Sequence, residues 1–184
     1  MDDYKRKEVK NAGNSAVWWV GLCILIAAIV FINSNILKVA FVRGDSMYPT
    51  LKDNDLLLVD IHNYSPKRED IILAHTSSEA FGDEYIVKRV IAIGGDTVCI
   101  DYDSNTVSVN GQDLIEPYIN YEQIDPMMEK YGDSQVTVKV PFGYVFVMGD
   151  NRNYSTDSRS KEIGAIAYAN ITGKVTRVFS ITTN

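Results

Sequence analysis

The sequence contains few of the residues on which disulfide frameworks and metal sites depend. Its 184 residues include two cysteines and two histidines. Cys23 lies within an apolar run and Cys99 lies far along the chain, so we expect no disulfide between them. His62 and His75 stand apart from each other and from the cysteines, without the spacing of metal ligands. We therefore expect neither a disulfide scaffold nor a metal site.

An excess of positive charge is also missing. The chain has 18 Lys and Arg residues against 24 Asp and Glu residues, which gives a formal net charge of −6. Proteins that bind nucleic acid carry a basic patch or stripe, so we expect no nucleic-acid partner. The length is too short for two sizeable hydrophobic cores. We expect one compact domain in addition to any membrane segment.

A single long hydrophobic run is present, near the N-terminus. Residues 16–32 carry no charge, and at about 1.5 Å per helical residue they span roughly 26 Å, enough to cross a lipid bilayer. We expect a cytoplasmic tail over residues 1–15, a transmembrane signal-anchor over 16–34 and an extracytoplasmic domain over 35–184. This orientation follows because basic residues stay on the cytoplasmic side, and four precede the run: Lys5, Arg6, Lys7 and Lys10.

The alternative for this run is a secretory signal that is cleaved from the mature protein. Such a signal has the same basic head and apolar middle, followed by small residues at the cleavage site. The run is followed instead by Asn33-Ser34-Asn35, and Lys38 occupies the position two residues before Ala40 where a small residue is required. The sequence therefore favours an uncleaved anchor.

Beyond residue 37 the pattern changes to short alternating or apolar stretches separated by turn residues. This pattern predicts a mainly β fold, with a β-rich domain whose strands close on themselves after the single N-terminal helix. Residues 163–170 are predicted to form a short helical or irregular turn, and residues 116–133 a surface excursion. The predicted strands cover residues 38–42, 56–62, 71–74, 85–93, 97–101, 106–109, 136–140, 144–148 and 174–181.

Ser46 lies in the segment Gly44-Asp45-Ser46-Met47-Tyr48-Pro49, directly after the first predicted strand. Pro49 restricts Tyr48 to an extended or turn conformation, so we expect a rigid, exposed bend. Such a bend can present a hydroxyl nucleophile and direct a backbone N–H at a developing oxyanion. The alternative is an ordinary turn serine, since Ser, Asp and Gly all favour turns.

Lys88 lies in the middle of a predicted strand that is rich in β-branched residues. Alternation places Lys88 on the same face as Ile86 and Val90, while Arg89 points to the other face. Burial among apolar side chains lowers the pKa of a lysine and makes its amine a usable base. The alternative is an edge-strand lysine whose amine reaches water. The two histidines are weaker base candidates, because no motif frames either of them.

A third polar cluster, residues 149–159, follows the apolar strand predicted at 144–148. Its charged and hydroxyl side chains favour a hydrogen-bonded loop. Together with the Ser46 segment and Lys88-Arg89-Val90-Ile91-Ala92-Ile93-Gly94-Gly95-Asp96, this cluster resembles the bacterial type I signal peptidases, in the form found in Gram-positive bacteria. The resemblance covers essentially the whole chain. It implies a membrane-anchored serine endopeptidase, without a cofactor, that removes signal peptides from exported preproteins.

The resemblance also implies roles for individual residues. Ser46 would be the nucleophile and Lys88 the general base, while Ser155 would orient the lysine amine and Asp157 with Arg159 would brace the site. Pockets for small residues at the first and third positions before the cut would be lined by Met47, Leu51, Ile86 and Val87. The alternative for these four side chains is core packing.

The sequence departs from many relatives at two positions. Gly44 stands where they carry a serine that contributes to the oxyanion hole, and Gly94-Gly95 stands where proline-glycine is frequent. Glycine at the first position also resembles Gram-positive members, so we do not interpret it as loss of activity. Two alternatives remain: a specialised processing peptidase of the same fold, and a catalytically silent, membrane-anchored module that binds preproteins.

Overall fold

The computed structural model describes residues 17–31, 36–78, 82–119, 127 and 133–180. The chain divides into two units, Met1–Leu37 and Lys38–Asn184. In the first unit, residues 17–31 form an α-helix whose large apolar side chains, including Trp18 and Trp19, are exposed. No helix among the described residues is both long and apolar enough to cross a membrane. The anchor predicted over residues 16–34 lies partly outside the described residues.

The second unit is built from β-strands and has two short 3-10 turns, Arg152–Tyr154 and Tyr168–Asn170. The strands run from two to 12 residues in length, and apolar and polar residues alternate along several of them because successive side chains point to opposite faces. The strands among the described residues are β1 (Leu37–Phe41), β2 (Leu56–Asp60), β3 (Ile71–Ser78), β4 (Gly82–Ile93), β5 (Thr97–Asp101), β6 (Thr106–Val109), β7 (Gln112–Asp113), β8 (Gln135–Lys139), β9 (Tyr144–Met148), β10 (Ile166–Ala167) and β11 (Ile171–Phe179).

These strands form two sheets. The larger sheet has the order β1-β2-β11-β3-β4-β9-β10, and the smaller has the order β7-β6-β5-β8. The prediction of a sheet closed on itself is wrong for the described residues, because β1 and β10 are the two edges of the larger sheet. The mainly β character of the fold is confirmed.

Strand β4 is central to the architecture because it pairs with β3 on one side and β9 on the other, both antiparallel. Lys88 is paired with Ile72 of β3, and Arg89 is paired with Met148, the last residue of β9. The chain that leaves β9 therefore begins its loop beside Lys88. This pairing brings residues 149–159 next to the middle of β4.

Three apolar clusters form the core. One lies under the smaller sheet and includes Ile100, Val107 and Phe146. On the larger sheet, Val87 packs against one cluster and Ile86 with Val90 belongs to another, as expected for neighbours that point to opposite faces. Each fully buried valine or leucine contributes roughly 1.5–3 kcal/mol relative to an exposed one. These clusters hold β4, and with it Lys88, in a fixed position.

The predicted surface excursion over residues 116–133 is wrong at two described positions. Glu116 is buried in an ion pair with Arg152, and Met127 is buried in the cluster under the smaller sheet. Residues 120–126 and 128–132 lie outside the described residues. The irregular turn predicted over 163–170 contains the two-residue strand β10 and one 3-10 turn.

Candidate active site

Ser46 lies on a tight turn between β1 and β2. The backbone N–H of Tyr48 donates to the carbonyl of Asp45 at 3.0 Å, and the N–H of Leu51 donates to the carbonyl of Met47 at 2.9 Å. Met47 and Leu51 are completely buried in the apolar cluster that includes Val87. The turn is thus fixed by its apolar side chains, and Ser46 on it is half-buried.

Gly44 begins this turn with a φ of +76°, in the left-handed region that favours glycine. Its N–H donates a 2.8 Å hydrogen bond to Oδ1 of Asp53. A Cβ at this position would meet no heavy atom within 4 Å, so crowding does not explain the glycine. The backbone conformation explains it, since a left-handed conformation costs a non-glycine residue about 1–2 kcal/mol.

Lys88 extends from β4 to the Ser46 turn. Its Nζ donates hydrogen bonds to Oγ of Ser46 at 2.8 Å and to the carbonyl of Val87 at 3.1 Å. The side chain is nearly inaccessible, and the residue is 5% exposed. Burial lowers the pKa of the Lys88 amine from 10.5 to about 8, while the negative charges of Asp157 and Asp150 oppose that shift. The neutral amine is thus accessible near physiological pH.

The loop after β9 holds the Ser46 turn from the other side. The N–H of Asn151 donates to the carbonyl of Ser46 at 3.1 Å, and its Nδ2 donates to the carbonyl of Asp45 at 3.0 Å. Gly149 lies so close to the Ser46 carbonyl and the Ser155 side chain that a Cβ on it would overlap both. A glycine is required here because the loop, Ser46 and Ser155 meet at this point.

Asp157 and Arg159 form a buried ion pair within this loop. Nε and Nη2 of Arg159 donate to the two carboxylate oxygens at 2.9 and 2.8 Å, and the N–H of Gly149 donates to Oδ2 at 3.0 Å. Burial raises the pKa of the Asp157 carboxyl, but the hydrogen-bonded Arg159 guanidinium outweighs it and lowers that pKa below its usual value. The charged carboxylate therefore fixes Gly149, and with it the close approach of Gly149 to the Ser46 carbonyl.

Ser155 is buried beside Gly149, and the structure shows no hydrogen bond between its Oγ and Lys88. Among the described residues, Oγ of Ser155 has no hydrogen-bond partner at ordinary distance, although the hydroxyl still contributes to lowering the pKa of Asp157. Ser155 therefore lies at the site. It does not make the direct contact with the Lys88 amine that an orienting role predicts.

The four residues predicted to line substrate pockets do not form one surface. Met47 and Leu51 are core residues, while Ile86 and Val87 are half-buried and pack against different apolar clusters. Met47, Leu51 and Val87 share a cluster that adjoins the Ser46 turn. Ile86 lies on the opposite face of β4.

The histidines form other contacts. His62 is exposed beside Asn63, and the His75 ring packs edge-on against Tyr85 with ring centroids 5.3 Å apart. Within the part of the chain that the structure describes, no three His, Cys, Asp or Glu side chains are grouped as metal ligands. The basic side chain that contacts the hydroxyl of Ser46 is that of Lys88.

Sequence reasoning missed a second buried ion pair, between Arg89 and Asp150. Nε and Nη2 of Arg89 donate to the two oxygens of Asp150 at 2.8 and 2.6 Å, and the hydroxyl of Thr50 donates to the same carboxylate. This pair joins β4, the loop after β9 and the Ser46 turn. The adjacent Gly149-Asp150 and Lys88-Arg89 motifs were visible in the sequence, but the pairing of the two was not.

A third ion pair fixes the far side of the loop. Nη1 and Nη2 of Arg152 donate to the two oxygens of Glu116, and all of these groups are buried. No sequence pattern indicated this contact, because Glu116 precedes Arg152 by 36 positions in a segment without strand periodicity. Two charged pairs, at Asp150 and Arg152, thus anchor the first part of the loop to the rest of the domain.

A serine hydroxyl in hydrogen-bond contact with a buried lysine amine, on a mainly β domain, defines a candidate hydrolase site. The chain matches the family described as signal peptidase, peptidase S26, over residues 15–180. The chain belongs to this family, and it is a type I signal peptidase of the serine peptidase class.

Two relatives with similar sequences agree with this assignment. The chain is 33% identical to signal peptidase I of Bacillus caldolyticus over 183 residues, covering 92% of this chain and 91% of the relative. It is 32% identical to signal peptidase IB of Staphylococcus aureus over 175 residues, covering 86% and 85%. The crystal structure of a signal peptidase I from Enterococcus faecalis V583 matches with a TM-score of 0.48 and 29% identity, covering 61% of this chain and 98% of that one.

Proposed function

We propose that this signal peptidase cuts preproteins with a dyad in which Ser46 is the nucleophile and Lys88 is the general base. The observation that carries the proposal is the 2.8 Å hydrogen bond between Lys88 Nζ and Ser46 Oγ. A general base must lie within hydrogen-bond distance of the proton that it removes, and 2.8 Å meets this requirement. The pKa of about 8 makes a neutral amine available at modest cost.

The reaction proceeds through an acyl-enzyme. The neutral Lys88 amine accepts the hydroxyl proton as Ser46 Oγ attacks the carbonyl carbon of the scissile bond. The resulting ammonium then donates a proton to the leaving amine, and the C–N bond breaks. In the second half, the amine removes a proton from a water that attacks the ester, which releases the signal peptide and restores Ser46.

The developing oxyanion requires a hydrogen-bond donor near Ser46. Among the described residues, no hydrogen bond uses the backbone N–H of Ser46, which leaves it available for that oxygen. Gly44 has no side-chain donor, so the second donor would be a water or another group. Loss of one such donor without replacement costs roughly 2.7–4 kcal/mol of transition-state stabilisation.

The remaining polar residues position this dyad. Asp157 and Arg159 hold Gly149 against the Ser46 carbonyl. The Ser155 side chain packs against Gly149 at the same point. Ser155 Oγ is buried beside Gly149 and has no hydrogen-bond partner among the described residues. We assign it an orienting role, in which its hydroxyl would bind the Lys88 amine in the reacting enzyme.

The substrates that we propose are exported preproteins with small residues at the first and third positions before the cut. In this proposal the half-buried Val87 and Ile86 would supply apolar walls for these residues, and the buried Met47 and Leu51 would pack behind Val87. An extended peptide would add to a strand edge and direct alternate side chains toward those walls.

The membrane is the proposed location of the enzyme. Residues 16–34 would form a single-pass anchor in the lipid bilayer, with residues 1–15 in the cytoplasm and the catalytic domain, residues 35–184, outside. The exposed apolar helix over residues 17–31 supports this arrangement, since its side chains would contact lipid. The basic residues before it support the orientation.

The test compares the full-length protein in detergent with Ser46→Ala and Lys88→Ala, using a preprotein with an Ala-x-Ala site and mass detection. We expect cleavage after the second alanine by the wild type and none by either variant. Lys139→Ala, at an exposed position of β8, is the matched control and should cleave normally. A wild-type protein that binds the preprotein without cutting it would favour the catalytically silent binding module. Cleavage by Lys88→Ala would exclude Lys88 as the general base of the proposed dyad.

A further inference from the structure

A cleft lies beside the Ser46 turn, and none of its lining residues belongs to the apolar cluster of Met47 and Leu51. It is lined by Asp45, Tyr48, Asn151 and Tyr154, and we call it the polar cleft. Its volume is about 610 Å³, within the range of roughly 300–1,000 Å³ that is usual for ligand sites. It is thus large enough for full-sized side chains.

Two of the four residues that line the polar cleft, Asp45 and Asn151, are attached directly to Ser46, the proposed nucleophile. Asp45 is the residue before Ser46, and Asn151 binds the carbonyls of both Asp45 and Ser46. A peptide that presents a carbonyl to Ser46 must therefore run past this cleft on one side of the scissile bond. The question is which part of the substrate enters it.

If the proposed function is right, the volume of the polar cleft indicates which part of the substrate enters it. The residues before the cut are small, and a cleft of about 610 Å³ lined by two tyrosines cannot select alanine-sized side chains. The half-buried Val87, packed against the buried Met47 and Leu51, is the apolar surface on which the proposed function places those small residues. We propose that the polar cleft receives the first residues after the scissile bond and favours a cationic side chain there.

The charge preference follows from the lining residues. The Asp45 side chain is exposed, and no hydrogen bond or ion pair of the described residues uses its carboxylate. The rings of Tyr48 and Tyr154 supply faces that attract a cation. Arg43, two positions before Asp45, is exposed, and no ion pair of the described residues joins the two. Arg152, in the neighbouring loop, is paired with Glu116. An acidic side chain in the cleft would meet an uncompensated like charge.

The experiment uses the full-length enzyme and three peptides that share one Ala-x-Ala segment and differ only in the first residue after the cut: Lys, Gln or Glu. We expect kcat/KM to fall in that order, with a Lys-to-Glu ratio of about five to tenfold at low salt. The ratio should shrink at high salt, because salt screens exposed charges. Asp45→Asn should reduce the ratio to about one to twofold.

Two further variants separate binding in the cleft from a general loss of function. Tyr154→Ala, at a residue that is 67% exposed, should lower the preference for Lys while the preference for Ala over Val before the cut stays unchanged. Asp113→Asn, at an exposed position of β7, removes the same charge elsewhere and should change neither preference.

The outcomes distinguish this inference from the proposed function. If the wild type cuts none of the peptides, the proposed function fails. If it cuts all three at equal rates, the enzyme is active and the polar cleft has no role in charge selection. If Asp45→Asn or Tyr154→Ala changes the preference before the cut instead of after it, the cleft holds the other side of the substrate and the inference is overturned.

Discussion

The amine of Lys88 donates a 2.8 Å hydrogen bond to Oγ of Ser46, although the two residues lie 42 positions apart in sequence. The turn that carries Ser46 is fixed by the apolar core, and the strand that carries Lys88 is fixed by its two neighbours in the sheet. Neither group depends on the other for its position. This arrangement allows each member of the pair to be removed without moving the other.

The buried amine predicts the pH dependence of cleavage. Because Lys88, the proposed base, would accept a proton only when neutral, kcat/KM should rise about tenfold per pH unit below pH 8 and level off above it. The measurement is the initial rate on an uncharged Ala-x-Ala peptide from pH 6 to 10. A midpoint near 10.5 would mean that burial does not shift this lysine, and a flat profile would exclude it as the base.

The same burial predicts that Lys88→Met stabilises the protein. The folded-state pKa is below the unfolded value of 10.5, so the charged form is penalised by up to about 3 kcal/mol at every pH below about 8. Between pH 8 and 10.5 the folded protein carries the neutral amine, while the unfolded chain still carries the charged one. The cost that remains is that of removing the proton, and it falls to zero as the pH approaches 10.5. Urea unfolding of the full-length protein in detergent should show the gain at pH 7 and little at pH 10.

The control for this stability measurement is Lys139→Met on β8, whose side chain is exposed. Its unfolding free energy should follow that of the wild type across the whole pH range. A difference between Lys88→Met and the wild type that stays constant from pH 7 to 10 would contradict the lowered pKa.

Gly149→Ala should abolish most activity. The new Cβ would overlap the Ser46 carbonyl and the Ser155 side chain, so the nucleophile has to move. A displacement of about 1 Å at a reacting atom can cost roughly 100-fold in rate. Gly173→Ala is the matched comparison, since its Cβ would overlap the backbone of β2 away from the site. It should lower stability without this specific loss of kcat; equal kcat losses in the two variants would contradict a positioning role for Gly149.

Asp150→Asn and Arg89→Met should each destabilise the fold. Either substitution removes one charge of the buried pair and leaves the remaining charge without its partner. Removing one member of such a pair costs about 3–5 kcal/mol. The double variant should be more stable than the sum of the two losses predicts, as measured by denaturant unfolding. Arg177→Met, at an exposed position of β11, should have little effect. Additive losses in the double variant would mean that the pair is not coupled.

Sequence periodicity was sufficient to predict most of the strands. Thr106–Val109 alternates half-buried and buried residues, and its bounds were predicted without error. Strands β7 and β10 were missed because each has two residues, too few to show a period. The closed sheet was wrong because periodicity reports which face of a strand is buried and contains no information about whether edge strands meet.

The candidate site was predictable in part for a similar reason. Ser46, Lys88 and the polar loop stand out as local motifs, whereas the pairing of Arg89 with Asp150 spans 61 positions. Such a contact depends on strand order, which local composition does not encode. Asn151, whose side chain and N–H hold Ser46 and Asp45, was part of a motif but had no assigned role for the same reason.

The dependence of the Ser46 turn on the loop after β9 has a consequence for protein synthesis. The hydroxyl of Thr50 binds Asp150 across 100 positions, and the carbonyl of Ser46 binds Asn151. Contacts between such distant positions form slowly and only after both segments exist. A chain emerging from the ribosome carries Ser46 and Lys88 well before their supporting loop, so the growing polypeptide has no assembled Ser46–Lys88 site until residues 149–159 have been synthesised.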